Sequence, residues 1–213
     1  MTTVQIMQFD IAKQHEASIE EIIREATTLI QNASSVQSFT IGTELEDKNA
    51  LQILIQDSDP ANSTTTTELL NSLSTHSITP STTFHLTFTN TPFTLSDLIT
   101  APVVEHAQSW FPLSEATPAF KQRIEQDFDK FTEIFKRESK GDIACGYGWV
   151  EEELDNEDVK GKKAASFVVA RGWETFEDFK MSTNTESFKE AAPILYGWGA
   201  PHRMWFVVRR SGS

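Results

Sequence analysis

Cysteine is almost absent from this 213-residue sequence, where Cys145 stands alone. That excludes an intrachain disulfide, and no CxxC or Cys/His spacing suited to a metal exists. Glycine-rich nucleotide signatures are missing too. There is no GxGxxG, no P-loop and no GxSxG, so nothing announces a dinucleotide fold or an α/β-hydrolase. Gly146-Tyr147-Gly148 sits within a strand pattern and reads as a bulge or a close backbone approach. No apolar run reaches the roughly 18 to 20 residues needed to cross a bilayer. The start, MTTVQIMQFDIAKQHE, lacks a basic segment followed by an apolar one and does not read as a signal peptide. Basic residues are scarce, 18 against 31 acidic, for a formal charge of −13. Such a field repels polyanions, so neither nucleic acid nor an anionic membrane surface is an expected partner. A reducing, cytoplasmic setting is the expectation.

Phenylalanine is abundant, with 15 copies, and Trp adds five, enough bulk to fill a core or to line an apolar cavity. Strands are expected at 3–9, 37–45, 50–56 and 82–89, with helices at 15–31 and 62–75. After a proline-bearing linker the order recurs. Strands fall at 103–111, 143–153, 163–171 and 203–210, and helices at 117–138 and 174–190. In the first of these helices Phe120, Ile124, Phe128, Phe131 and Phe135 form one apolar stripe. Each half therefore reads β-α-β-β-α-β, the ferredoxin-like order. The domains are residues 1–92, a linker at 93–102, and residues 103–213. Several strands are apolar on both faces, as in Ile53-Leu54 and Trp205-Phe206. A ferredoxin-like sheet has helices on one face only, so the economical cover for each sheet is the other. The expected fold class is α+β, two ferredoxin-like halves forming an intramolecular dimeric α+β barrel. A chain that completes its own barrel is expected to be a monomeric pseudo-dimer.

The run from Ala170 to Pro193, ARGWETFEDFKMSTNTESFKEAAP, resembles the strand–Trp–helix segment of the antibiotic-biosynthesis-monooxygenase-like superfamily. Trp173, Thr175, Phe179 and Phe188 carry the resemblance. The usual His in the middle of that helix is replaced by Lys180 and Met181. Fungal proteins with two such units in one chain look similar overall. The resemblance implies a cleft for small, often aromatic molecules. Some members are cofactor-independent oxygenases, some cyclases or dehydratases, some bind haem, and many have no known activity. The functional expectation is a small-molecule-binding barrel acting as a cofactor-independent monooxygenase or cyclase on an aromatic or polyketide-like substrate. A non-catalytic barrel that binds a ligand or partner is the alternative.

Two histidines are candidate acids or bases. If Phe84, Leu86 and Phe88 face the helices, His85 faces the barrel interior. Its alternative role is that of a hydrogen-bonded structural histidine. His106 shares a strand face with Gln108 and Trp110, a combination suited to a polar-aromatic pocket. The opposite face, Glu105, Ala107 and Ser109, is expected to be wetter. Trp149 is a further candidate for substrate binding, or else a core anchor. Arg171 lies among apolar neighbours and must find either an acidic partner, such as Glu151, Glu152 or Glu153, or an anionic ligand. No cofactor and no metal site is expected, because the acidic runs alternate across a strand and do not converge.

Overall fold

The computed structural model describes residues 2–11, 19–58, 64–89 and 95–212. The chain runs β1 (Thr2–Asp10), α1 (Ile19–Asn32), β2 (Val36–Glu44), β3 (Ala50–Asp57), α2 (Thr64–Thr75) and β4 (Pro80–Phe88). A short helix, α3 (Leu95–Thr100), follows. Then come β5 (Val103–Pro112), α4 (Pro118–Phe135), β6 (Asp142–Val150), the two-residue β7 (Leu154–Asp155), β8 (Lys163–Trp173), α5 (Phe176–Ser182), α6 (Glu186–Tyr196) and β9 (His202–Gly212). The first residues of the helices expected at 15–31 and 62–75 lie outside the described residues.

The strands follow the order β5-β9-β2-β3-β1-β4-β6-β8, and β8 pairs back onto β5. Eight antiparallel strands thus close into a barrel, with β7 appended to β8. Two seams join the strand groups. At one, Leu86–Phe88 of β4 pairs with Gly148–Val150 of β6. At the other, Thr40–Glu44 of β2 pairs with Val207–Gly212 of β9. Each seam closes on a glycine. A Cβ on Gly148 would lie 1.9 Å from the Thr87 carbonyl oxygen, and one on Gly42 2.6 Å from that of Val208. Only a residue without a side chain lets the backbones meet at these points.

Three apolar clusters follow from this closure. Met7, Phe9, Ile41 and Ile53 pack outward against Ile22, Ile30 and Leu69 of α1 and α2. Phe167, Val169 and Trp173 of β8 pack outward against Phe128, Phe131 and Phe135 of α4. The third cluster fills the lumen with Ile6, Leu54, Phe84, Leu86 and Val168. Each such buried side chain contributes about 1.5–3 kcal/mol relative to exposure. The segment expected as a linker contributes to this last cluster. Leu95, Leu98 and Ile99 of α3 belong to it, and α3 contacts β2, β6, β8 and β9.

Several expectations require correction. Phe84, Leu86 and Phe88 point into the lumen, not toward the helices, so His85 points outward. The helix expected over 174–190 is two helices. Thr175 caps α5 by accepting from the Asp178 amide, and Thr185 caps α6 by accepting from that of Phe188. The polar run Ser182-Thr183-Asn184-Thr185 supplies the break, since such side chains compete for backbone hydrogen bonds. The helix expected over 117–138 does start where Thr117 and Pro118 suggest, and it ends at Phe135.

Candidate functional site

The lumen is filled rather than hollow. His106, at 1% exposure, stacks on Trp205 with ring centroids 5.1 Å apart. Gln52 organises the polar groups there. Its Oε1 accepts from Trp205 Nε1 at 2.9 Å and from Gln8 Nε2 at 3.2 Å, and its Nε2 lies 3.2 Å from His106 Nε2. With Gln52 donating, that ring nitrogen accepts and the His106 proton sits on Nδ1, on the side of the Val104 backbone. Burial pushes the His106 pKa down to about 3. Gln108, also inward, donates to Ser166 Oγ at 2.8 Å. The void beside His106 measures about 10 Å³, room for a single water. His106 and Gln108 therefore face the lumen as expected, but a substrate does not fit there.

A larger space than that void lies outside the barrel wall, between β5, β8 and β9 and the helices α4, α5 and α6. It has a volume of about 400 Å³. Phe128, Phe131, Phe135, Phe167, Phe179 and Phe188 wall it. Along α4 the rings stack, Phe128 on Phe131 at 5.6 Å and Phe131 on Phe135 at 5.5 Å, and across the cavity they meet edge-on, Phe128 against Phe167 at 5.8 Å and Phe131 against Phe188 at 6.4 Å. Tyr196 and Met204, 71% and 49% exposed, mark its mouth. The side of β5 expected to be wet, with Glu105, Ala107 and Ser109, lines this cavity.

At its buried end Glu105 and Arg171 stand side by side across the β5–β8 pair. Arg171 is 2% exposed and donates to Asp142 Oδ2 at 3.2 Å and to Thr132 Oγ1 at 3.4 Å. Its guanidinium lies 4.7 Å over the Phe135 ring. Its acidic partner is thus Asp142, at the start of the neighbouring strand, and not Glu151, Glu152 or Glu153. Glu105 accepts from the Trp173 indole at 2.9 Å. Burial raises the Glu105 pKa, against the pull of Arg171 and that hydrogen bond. A carboxyl group that readily holds a proton, a fixed cation and an aromatic enclosure can accept a proton from a weak acid and stabilise the anion left behind.

The remaining expected residues lie elsewhere. His85, on the outer face, holds Glu152 at 2.6 Å and is not at the cavity. Trp149 packs behind the wall against Phe111 and Phe167, with its indole donating to Glu125 at 2.9 Å. Trp110 lines a second, outer cleft. Sequence reasoning missed Glu105. The signal was present, a lone acid at a strand position flanked by valine and histidine, but an acid in that context reads first as solvent-facing.

No protein-family model and no curated protein matches the chain by sequence. Solved structures match it along its length. An anthrone oxidase-like protein superposes with a TM-score of 0.64 at 11% identity, over 100% of this chain and 92% of that one. A protein described as a monooxygenase candidate, from Lactobacillus acidophilus NCFM, gives 0.60 at 11% identity, over 100% and 96%. A chlorite dismutase variant from Candidatus Nitrospira defluvii gives 0.60 at 10% identity, over 99% and 91%. The chain has the α+β barrel fold of these proteins. At such identities the likeness concerns the fold alone. The expected α+β barrel is therefore observed.

Some members of the superfamily that the sequence resembles bind haem, which requires an axial His, Cys, Tyr or Met directed into the pocket. The cavity's buried end offers Glu105 and Arg171 instead, and its His202, Tyr196 and Met204 are all exposed. The buried end therefore holds no haem ligand. Among the described residues no group of three or more His, Cys, Asp or Glu is placed to hold a metal. No helix of the described residues is long and apolar enough to cross a membrane.

Proposed function

We propose that residues 1–92 and 103–213 are two ferredoxin-like units paired within one chain, and that the second unit's cavity binds a planar aromatic or polyketide-like molecule for cofactor-independent oxygenation or cyclisation. One juxtaposition carries this reading: Glu105 and Arg171 together at the buried end of a phenylalanine-walled space. The anthrone oxidase-like neighbour suggests the type of substrate, a fused-ring ketone with an acidic CH₂. Glu105 would remove that proton. Arg171 would hold the enolate oxygen, and the aromatic wall would exclude water, strengthening both interactions. The carbanion then reacts with dioxygen to a hydroperoxide, which loses water to leave a carbonyl. The balance is CH₂ plus O₂ giving C=O plus H₂O, with no external reductant. Because the barrel closes within one chain, the pairing needs no second chain, and a monomer is the proposed state.

A non-catalytic binding role is a second reading, favoured by the fact that Arg171 and Glu105 already have protein partners in Asp142 and Trp173. Dioxygen uptake with a tricyclic anthrone distinguishes the two. The wild type should consume oxygen, and Glu105→Gln should lose about 10²–10⁴-fold in rate while still quenching tryptophan fluorescence on binding. Equal uptake by Glu105→Gln rules out the base. Binding without any uptake by the wild type leaves the second reading.

A further inference from the structure

The floor of the aromatic cavity is a small grid of side chains set by strand register. Along β5 its residues are Glu105, Ala107 and Ser109. On β8 they pair with Arg171, Val169 and Phe167, and on β9 the last two pair with Met204 and His202. Alternate residues of a strand share a face, so the three lie in line, with Glu105 and Ser109 about 13 Å apart at about 3.3 Å per residue. Polarity on this floor is confined to its two ends. At the buried end stand Glu105 and Arg171, partnered by Trp173 and Asp142. The middle is Ala107 between Val169 and Met204, whose side chains carry no nitrogen or oxygen. Ala107 is the smallest side chain of the grid, and it leaves a low step on which an aromatic ring can lie.

Ser109 stands at the other end, half-buried, and differs from the other polar side chains of the cavity. Thr183 donates to the carbonyls of Phe179 at 3.2 Å and Lys180 at 3.1 Å, and the Trp198 indole donates to Asp127 at 3.2 Å. The Ser109 backbone carbonyl accepts from Ser166 at 3.4 Å, but its hydroxyl makes no hydrogen bond to a described residue. Among the described residues it is thus the one polar side chain of the cavity, short of the exposed rim of Tyr196 and His202, whose hydrogen-bonding capacity is unused. A ligand with an oxygen at that place takes over the bond that water makes there. A ligand with only carbon there strips the water and leaves the hydroxyl without a partner.

We infer that the cavity takes an elongated aromatic molecule with oxygen at both ends, one oxygen at Glu105 and Arg171 and a second, on the far edge of a body of two or three fused rings, hydrogen-bonded to the Ser109 hydroxyl. This rests on the reading of the cavity as an aromatic site. Two hydrogen bonds of about 2.8 Å and a linear body of that size fill the span between the anchors. Ser109 selects the second oxygen, and Ala107 gives the rings their clearance from the floor.

The test uses the full chain and two probes of nearly equal shape: anthracene with a hydroxyl on each terminal ring, and its analogue with a methyl group in place of one hydroxyl. Binding is read by tryptophan quenching. The wild type should hold the diol about five-fold more tightly, the effect of one hydrogen bond at a partly solvated site. Ser109→Ala should bind the two probes equally, chiefly by losing affinity for the diol. Ala107→Leu, which raises the middle of the floor, should weaken both probes about ten-fold or more. If Ala107→Leu weakens both probes but the wild type binds them equally, the second anchor is overturned and the aromatic site stands. A diol preference that survives Ser109→Ala has the same consequence. Undiminished binding by Ala107→Leu, or no binding of either probe by the wild type, overturns both readings.

Discussion

Acid should weaken the barrel through His106. In the folded chain its imidazole is 1% exposed, stacked on Trp205, and shares its small void with the cationic Arg209. Its pKa is pushed from 6.5 to about 3 by burial. A base whose folded pKa is depressed stabilises the fold fully above the unfolded value and loses that contribution as pH falls toward the folded one. The slope is about 1.4 kcal/mol per pH unit below roughly 6.5, or about 2 kcal/mol by pH 5. His106→Gln removes the titration yet keeps an oxygen to accept from Gln52. At pH 8 the variant should be less stable by about 1–3 kcal/mol, through the lost stacking and packing. Urea unfolding at pH 8, 6.5 and 5 should show this gap closing by about 2 kcal/mol. Glu105, with its raised pKa, works in the opposite sense: its neutral form stabilises the fold below the ordinary carboxyl value, and that is lost as pH rises through the raised one. Being common to both proteins, it cancels in the difference. Parallel stability curves across this range would refute the assignment of a buried, neutral His106.

Gly148→Ala should cost at least about 2–3 kcal/mol in urea unfolding, because its Cβ would lie 1.9 Å from the Thr87 carbonyl and part the β4–β6 seam; a near-neutral effect would mean that the seam is looser than described. Arg171→Met should destabilise by about 3–5 kcal/mol, by leaving Asp142 buried without its cation, and adding Asp142→Asn should recover most of that. Additive costs in the double variant would show that the pair is not coupled.

The α+β class and the strand positions were legible because alternation and the α4 phenylalanine stripe report local geometry directly. The phase of β4 was not legible. Phe84, Leu86 and Phe88 mark an apolar face, but helices and a second sheet both want one, and alternation does not say which receives it. His85 was displaced by that ambiguity. On β5 the phase of His106 and Gln108 was correct, yet the inference from polarity failed. The polar groups went into the packed lumen, where Gln52 and Ser166 satisfy them. The face with Glu105 formed the cavity, because the helices above β5 cover it incompletely. Incomplete cover is a property of tertiary packing and leaves no periodic trace in the sequence. The break between α5 and α6 did leave one, in four consecutive hydroxyl or amide residues.

The location of a bound aromatic tests the central claim most directly. Crystals soaked with a brominated tricyclic phenol should show an anomalous bromine peak among Phe131, Phe167 and Phe188, with the phenol oxygen directed at Glu105 and Arg171. A peak in the barrel lumen beside His106, or a cavity left without ligand at saturating concentration, would contradict it.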